Sequence, residues 1–248
     1  MFLATAAGLF IGSVLGLVGA GGAMVSVPIL LYLFHFTPIA ATTAALAIVF
    51  AAALTALIPK LMKREVLIRE ALAIWAFGLI TNIGGALIAK HLPDAFITIG
   101  FAGILILAGT TMLRPPVHGE EEKRISFLTL IILSLVIGSM TGIFGVGGGF
   151  LAIPVLVLYF HTPHAKAAGT SLLIIAANCL TSFIAHRSSW SQVDWAIPIE
   201  IAMVAALTST YASHHSSKVR AAILRKAFAY LLYAIALFTV IHTWVYTK

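Results

Sequence analysis

The sequence predicts an all-α, polytopic membrane protein built from two inverted repeats, and three observations carry that prediction. Only 9% of the 248 residues are charged while 61% are hydrophobic, and the mean hydropathy is +1.07. Apolar runs of membrane-spanning length recur along the whole chain. A glycine-rich motif also interrupts an apolar run twice, as GSVLGLVGAGGAMVSVPILLYLFHFTP from Gly12 and as GSMTGIFGVGGGFLAIPVLVLYFHTP from Gly138.

A soluble domain carries about 25% charged residues, so this chain has too few to cover a wetted surface. The apolar runs are Phe2–Val18, Ile39–Ile58, Ala71–Ala89, Phe96–Leu113, Ile125–Phe144, Ala167–Ala185, Trp195–Ala212 and Ala227–Val245. Each approaches the roughly 20 residues that a helix needs to cross the hydrocarbon core. None shows the apolar–polar alternation of a barrel strand. MFLATAAGLF has no basic leading segment and stays apolar well beyond any cleavage point, so it reads as the first helix. Cys179 is the single cysteine, inside an apolar run, which leaves no disulfide or cysteine-based metal site. The net charge of +7 lies mainly in short loops, where it sets topology and does not imply a nucleic-acid partner.

Beyond the glycines, Pro28 matches Pro154, Leu46 matches Leu172 and Thr55 matches Thr181, each pair 126 residues apart. A one-residue adjustment aligns Phe34-His35 and Thr37-Pro38 with Phe160-His161 and Thr162-Pro163. The expected organisation is an N-terminal membrane repeat over 1–113, a polar cytoplasmic linker over 114–124 (RPPVHGEEEKR) and a C-terminal membrane repeat over 125–248. Loop charge sets the orientation. Lys60, Lys63, Arg64 and Arg69 share one loop of the first half, and the next holds only Lys90. In the second half the bias flips, with Arg187 alone in the earlier loop and Lys218, Arg220, Arg225 and Lys226 in the later one. Equivalent loops with opposite bias imply repeats inserted in opposite senses, the basic loops cytoplasmic and both termini outside.

Inversion requires an odd number of crossings per repeat. Each repeat holds a long helix, a glycine break, a short apolar piece (Met24–Phe36 or Phe150–Phe160) and three further helices. The short piece either returns as a short tilted helix or forms a re-entrant hairpin. Five elements per repeat, the second one short, is the expectation.

Non-helical backbone at membrane depth is tolerated only against protein or a wet cavity. Gly19-Ala20-Gly21-Gly22 and Gly145-Val146-Gly147-Gly148-Gly149 are therefore expected to face inward. A break there frees the N–H groups of the next helix's first turn at the positive end of its dipole, and glycine lets a ligand approach the backbone. Such helix starts suit anions. Two breaks meeting at mid-depth would offer about one unit of positive charge. No Lys-Ser/Thr follows the glycines, and no strand or downstream acid accompanies them, which excludes the nucleotide-loop readings. Gly8, Gly12 and Gly16, like Gly138 and Gly142, fall four apart and read as helix-packing contacts.

Thr42 and Thr43 open one helix, and Thr170, Ser171 and Asn178 share a face of its counterpart. Their hydroxyls and amide suit sulfonate or carboxylate oxygens, and serve interhelical hydrogen bonds equally well. Thr81-Asn82 has the same two readings. Glu200 is the one acid well inside an apolar run, hence the candidate for a coupling proton, although Asp194 two turns away makes an interfacial position an equal alternative. His35, His161 and His214-His215 read as interfacial. No His/Cys/Asp/Glu cluster has metal-ligand spacing and no nucleophile–base pair suggests catalysis, so neither metal, cofactor nor enzymatic activity is expected.

GLVGAGGAMVSVPIL and GIFGVGGGFLAIPVL, each followed by a short apolar stretch and a Thr-Pro turn, together with AAGTSLLIIAANCLTSFIAH, resemble the sulfite exporter TauE/SafE family across essentially the whole chain. The resemblance implies a multi-pass transporter of the bacterial cytoplasmic membrane that moves small sulfur-containing anions such as sulfite, sulfoacetate and related organosulfonates, often outward. It carries over to Gly19, Gly21, Gly22 and Pro28, and to Gly145, Gly147, Gly148, Gly149, Pro154, Thr170, Ser171 and Asn178. The first repeat departs from the pattern at Ala23, Ala44-Ala45 and Ala52, so side-chain donors are expected chiefly from the second. The expected substrate-binding set is Gly21, Gly22, Gly147, Gly148, Gly149, Thr43, Thr170, Ser171 and Asn178. A midplane site and alternating access complete the expectation. A carboxylate transporter and a non-transporting membrane scaffold are the alternatives, and small-residue faces permit a homodimer.

Overall fold

The computed structural model describes residues 2–89, 94–113, 127–144, 149–158 and 162–246. The described residues are helical almost throughout, in the order α1 (Phe2–Val18), α2 (Gly22–Pro28), α3 (Pro38–Met62), α4 (Ile68–Ala89), α5 (Asp94–Leu113), α6 (Phe127–Phe144), α7 (Gly149–Leu158), α8 (His164–Ala185), α9 (Ala196–His215) and α10 (Ala221–Tyr246). The five-element order with a short second member thus appears in each half. Gly145, Gly147, Gly148, His161 and the 114–124 linker lie outside the described residues. Four of the described helices are long and apolar enough to cross a membrane, Pro38–Met62, His164–Ala185, Ala196–His215 and the Ala222–Ile241 part of α10. Large apolar side chains such as Leu207, Ile223 and Leu237 point outward from these helices, as a lipid-facing surface requires.

The local signals explain the boundaries. Pro28 brings no N–H to the ladder, and the turn after it widens into a π-helical stretch, Ile29–Leu33. Thr37 then caps α3 through an Ala40 N–H bond, with Pro38 in the first helical position. After each short helix the same closing bond recurs 126 residues apart. Phe36 N–H donates to Leu30 O, and Thr162 N–H donates to Leu156 O.

Glycine sets the closest packing. A Cβ on Gly8 would meet Ile201 and Val204, one on Gly12 would meet Ala205 and Thr208, and one on Gly16 would meet Ser209 and Ala212. The stripe is therefore spent inside the molecule against α9. The same contacts fix direction, since α1 and α9 advance together. α3 advances with α9 as well, because Ser209 Oγ donates to Ala52 O and Ser213 Oγ to Ala56 O, at 2.8 and 2.7 Å. With α1 and α3 running the same way, residues 19–37 must carry the chain back across the bundle between them. At 1.5 Å per residue its helical part, residues 22–33, covers roughly 18 Å. The first short element therefore runs back along the bundle, against the direction of α1 and α3.

α3 and α8 run antiparallel. Thr43, near the start of α3, stands 3.2 Å from His186 at the end of α8. Thr170, near the start of α8, accepts from Leu67 N–H at 3.0 Å just past the end of α3. Lys63 Nζ donates to His214 O at 2.8 Å, which brings the basic 60–69 and 214–226 loops to one end of the bundle. Arg187 belongs to the opposite end with His186. Packing follows a paired pattern: α1 lies on α9 and α6 on α4, α3 on α9 and α8 on α4, while α5 meets α10 and α3 meets α8. On the α4–α6 contact, Thr81 Oγ1 donates to Leu135 O at 2.8 Å, so Thr81 takes its packing role.

Gly12→Leu forces a side chain into a contact where even a Cβ lies 2.6 Å from Ala205 O, and overpacking of this kind costs about 1–3 kcal/mol or more. Gly103→Ala meets nothing within 4 Å and gains helix propensity of about 1 kcal/mol. Thermal unfolding in detergent is expected to show a lower midpoint for the first variant and an unchanged or higher one for the second.

Candidate functional site

The first glycine break is enclosed by protein. Gly19, Ala20, Gly21 and Gly22 are all buried, as expected for irregular backbone within a membrane protein. Gly19 and Gly21 adopt left-handed backbone, at φ +79 and +87°, the conformation that α1 needs to end and turn into α2. A Cβ on Gly19 would collide with Ala168 of α8, whereas one on Gly21 would sit at ordinary contact, 3.4 to 3.5 Å, from Phe228 and Leu231 of α10 and Val14 of α1. α2 opens without a side-chain cap, and its first intrahelical bond runs from Val25 N–H to Gly21 O at 3.3 Å. The N–H groups of its first turn have no acceptor within the helix. Ser26 Oγ turns back to Gly22 O at 2.6 Å.

The depth of the break differs from the midplane expectation. Ala168 lies four residues into α8, or roughly 6 Å from its start. Phe228 is likewise in the second turn of α10. The break therefore stands near the basic end of the bundle, because α1 runs almost the full length of α9 before it ends.

The sequence-derived side chains divide between the two ends. Thr170 and Ser171 are fully buried, in the turn of α8 that follows the Gly19 contact. Thr170 Oγ1 donates to Lys166 O at 2.7 Å and accepts from Leu67 N–H, so it ties α8 to the α3–α4 turn. Gly169 beside it admits Glu65 O at a distance that no Cβ would allow. Ser171 and the half-buried Asn178 each have an interaction partner of their own. Thr43 is fully buried too, donating to Ile39 O at 2.8 Å, but it belongs to the His186 end, about 24 Å along α8 from Thr170. The structure thus sets Gly19 against the start of α8, Gly21 against α10 and Gly22 against Leu15 of α1, and does not bring Thr43 to them. Glu200 Oε1 accepts from Thr5 Oγ1 at 2.9 Å, linking the first turns of α9 and α1 at the Arg187 end. Gly149 starts α7.

A second group of side chains at the basic end had no single sequence signal. Lys60, in the last turn of α3, is only 2% exposed and pairs with Glu65 Oε2 at 2.7 Å. His164, which opens α8, has both ring nitrogens buried without a hydrogen-bond partner among the described residues. Lys60 and Arg225 both lie close enough to act electrostatically on it. No group of three or more His, Cys, Asp or Glu that could hold a metal ion occurs among the described residues.

A buried, twice left-handed glycine break inside a bundle of apolar, lipid-facing helices, with cations gathered at one end, defines a polytopic membrane protein with an inward-facing irregular segment. The family described as Sulfite exporter TauE/SafE matches residues 4–239, and the chain belongs to that family of membrane transporters. A probable membrane transporter protein of Xylella fastidiosa (strain 9a5c) is 28% identical over 249 residues, covering 96% of this chain and 94% of its own. The probable membrane transporter protein YunE of Bacillus subtilis is 27% identical, covering 76% of this chain and 78% of its own. A third such protein, from Methanocaldococcus jannaschii, is 30% identical over 125 residues, 48% of this chain and 46% of its own. No solved structure matches the chain significantly.

Two stability predictions follow from the break and its neighbour. Gly19→Ala combines left-handed strain of about 1–2 kcal/mol with the Ala168 collision, whereas Gly21→Ala bears the strain alone, so the melting temperature should fall further for the first. Thr170→Val leaves the Leu67 N–H without its acceptor, at about 1–3 kcal/mol, and Thr170→Ser should restore most of the loss in the same assay.

Proposed function

We propose that this transporter exports a small sulfur-containing anion, sulfite, sulfoacetate or a related organosulfonate, across the bacterial cytoplasmic membrane by alternating access of two inverted repeats. The observation that carries the reading is the buried break at Gly19–Gly22, whose left-handed glycines free a helix start inside the bundle. Helix N–H groups and glycine backbone hold an anion without a fixed counter-charge, and cargo so held can leave again. Sulfur chemistry and outward direction come from the family description.

The inverted-repeat part is supported by direction. α4 follows α3 through the short turn at 63–67 and so runs against it, whereas its counterpart α9 runs with α3. The counterparts α3 and α8 are themselves antiparallel. The clustering of Lys60, Lys63, Arg64, Arg69, Lys218, Arg220, Arg225 and Lys226 at one end supports a cytoplasmic assignment for it. In this reading the first break takes the anion at the cytoplasmic side, and Gly147, Gly148 and Gly149 serve the second half in the same way. Thr170, Ser171 and Asn178 line the path from α8, and Thr43 lines it at the outer end. An interior-negative potential drives an anion outward by about 2.3 kcal/mol per charge per 100 mV. Glu200, held by Thr5 near the outer end, is the proton-coupling group.

Flux from proteoliposomes loaded with sulfite, sulfoacetate, taurine, acetate or sulfate tests this. The expected result is efflux of a sulfur anion that Gly22→Leu lowers at least tenfold, about 1.4 kcal/mol in the barrier, while Gly103→Leu leaves it intact. Efflux confined to acetate would identify a carboxylate transporter, and no efflux of any anion would point to a scaffold. Glu200→Gln is expected to abolish the dependence of flux on a pH gradient and to leave anion exchange at equal pH unchanged. Retained gradient dependence in that variant would remove Glu200 from coupling.

A further inference from the structure

We infer that Lys60, His164 and Arg225 form a capture site for a small oxyanion at the basic end of the bundle, beside the first glycine break. The inference rests on the anion-transport reading and adds the residues that first meet the cargo.

Three observations place the site. Lys60 carries its charge almost fully buried, with Glu65 Oε2 at 2.7 Å. A buried ammonium costs more in lost hydration than one partner returns unless other groups complete it, and Glu65, part-exposed in the α3–α4 turn, is the one carboxylate that Lys60 pairs with among the described residues. His164, within electrostatic reach of Lys60, has two buried ring nitrogens with no hydrogen-bond partner among the described residues. Buried polar groups of this kind carry a desolvation penalty and call for an explanation. Finally, the helices that bring His164 and Arg225 also wall the break. His164 is one turn before Ala168, which Gly19 touches, and Arg225 is one turn before Phe228, which Gly21 faces.

An oxyanion satisfies all three at once. Its oxygens accept an imidazole N–H from His164, and its charge is balanced by the cations already in reach of that ring. Glu65 acts as the internal substitute, pairing with Lys60 when the site is empty and yielding it when an anion competes. That exchange gives a route for release, since the carboxylate can take Lys60 back. It also reaches the backbone, because the α3–α4 turn that carries Glu65 is held to α8 through Leu67 N–H on Thr170. At the other end of the α3–α8 pair the corresponding neighbours are Thr43 and His186, so among the described residues the buried cation belongs to one end.

The test is calorimetric titration of the full chain in detergent with sulfite, sulfoacetate and acetate, for the native protein, His164→Leu and Glu65→Gln. The native protein is expected to bind at least one of them. His164→Leu should weaken that binding about tenfold, the effect of losing one charge-assisted hydrogen bond, with an anion-free melting temperature no lower than native. Glu65→Gln should tighten binding, because the competing carboxylate is gone. Native binding that neither variant alters would overturn the site and leave the anion reading standing, whereas no binding of any probe to the native protein would overturn both. A lower anion-free melting temperature in His164→Leu would mark a structural histidine and overturn the proposal. If that variant does not fold, unchanged or weaker binding in Glu65→Gln does the same. Repeating the titration in phosphatidylglycerol nanodiscs separates a free oxyanion from a lipid headgroup, and loss of sulfite binding there would overturn the capture role.

Discussion

The antiparallel contact of α3 with α8 is the constraint on which the rest of the molecule depends. At one end it is closed by Leu67 N–H on Thr170 and by Glu65 O seated on Gly169. At the other it is closed by Thr43 beside His186. Between those ends, the small residues Ala41, Ala44, Ala45, Ala52 and Ala53 on α3 and Ala167, Ala168 and Ala176 on α8 are all buried. Lipid is as apolar as leucine, so helices in a membrane gain little from hiding apolar area and must gain from close contact instead. Once α3 and α8 oppose one another, the short turn after α3 sends α4 back along α8, and the 187–195 connection sends α9 back along α3. α1 then docks on α9 through its glycine stripe, and the residues after it must return across the bundle.

That return gives the break its position and its chemistry. Because α1 spans nearly the length of α9, the left-handed glycines fall near one end, against the starts of α8 and α10. The same end collects Lys60, His164 and Arg225. Helix starts, glycine backbone and cations such as the buried Lys60 are independent means of favouring negative charge, and here they gather at one end of the bundle. The opposite end offers hydroxyls, an imidazole and the Thr5–Glu200 pair. In the proposed export, an anion would pass from the end rich in cations to one without a buried cation among the described residues, which suits release there.

Much of this was legible in the sequence, for physical reasons. Apolar run length fixes helix number, and Thr-Pro and glycine fix where helices start and stop. The i, i+4 spacing of Gly8, Gly12 and Gly16 reads directly as a packing face, because that spacing brings side chains onto one face of a helix. The repeat is visible because both halves carry the same glycine motif and make the same closing bond after the short helix. Depth was not legible. A glycine motif tells where the chain turns, but its level in the bundle depends on how far α1 slides along α9, which is set by a tertiary contact. The Lys60–His164–Arg225 group was hidden for a similar reason, since its members come from three helices far apart in sequence and each alone looks like an ordinary loop-proximal charge. Thr43 and Thr170, each near the start of its helix, were expected in one binding set. Antiparallel pairing of α3 and α8 puts the two helix starts at opposite ends.

The central claim is that the two halves lie in the membrane in opposite senses, with the Lys60 end inside. The most direct measurement is labelling of single cysteines by a membrane-impermeant maleimide in intact cells, in a Cys179→Ser background that removes the one buried native thiol. Arg64→Cys in the α3–α4 turn and Ser189→Cys in the α8–α9 connection occupy matching loops of the two halves. The account predicts that Ser189→Cys is labelled from outside and Arg64→Cys only after the membrane is opened. Labelling of both from the same side would contradict it.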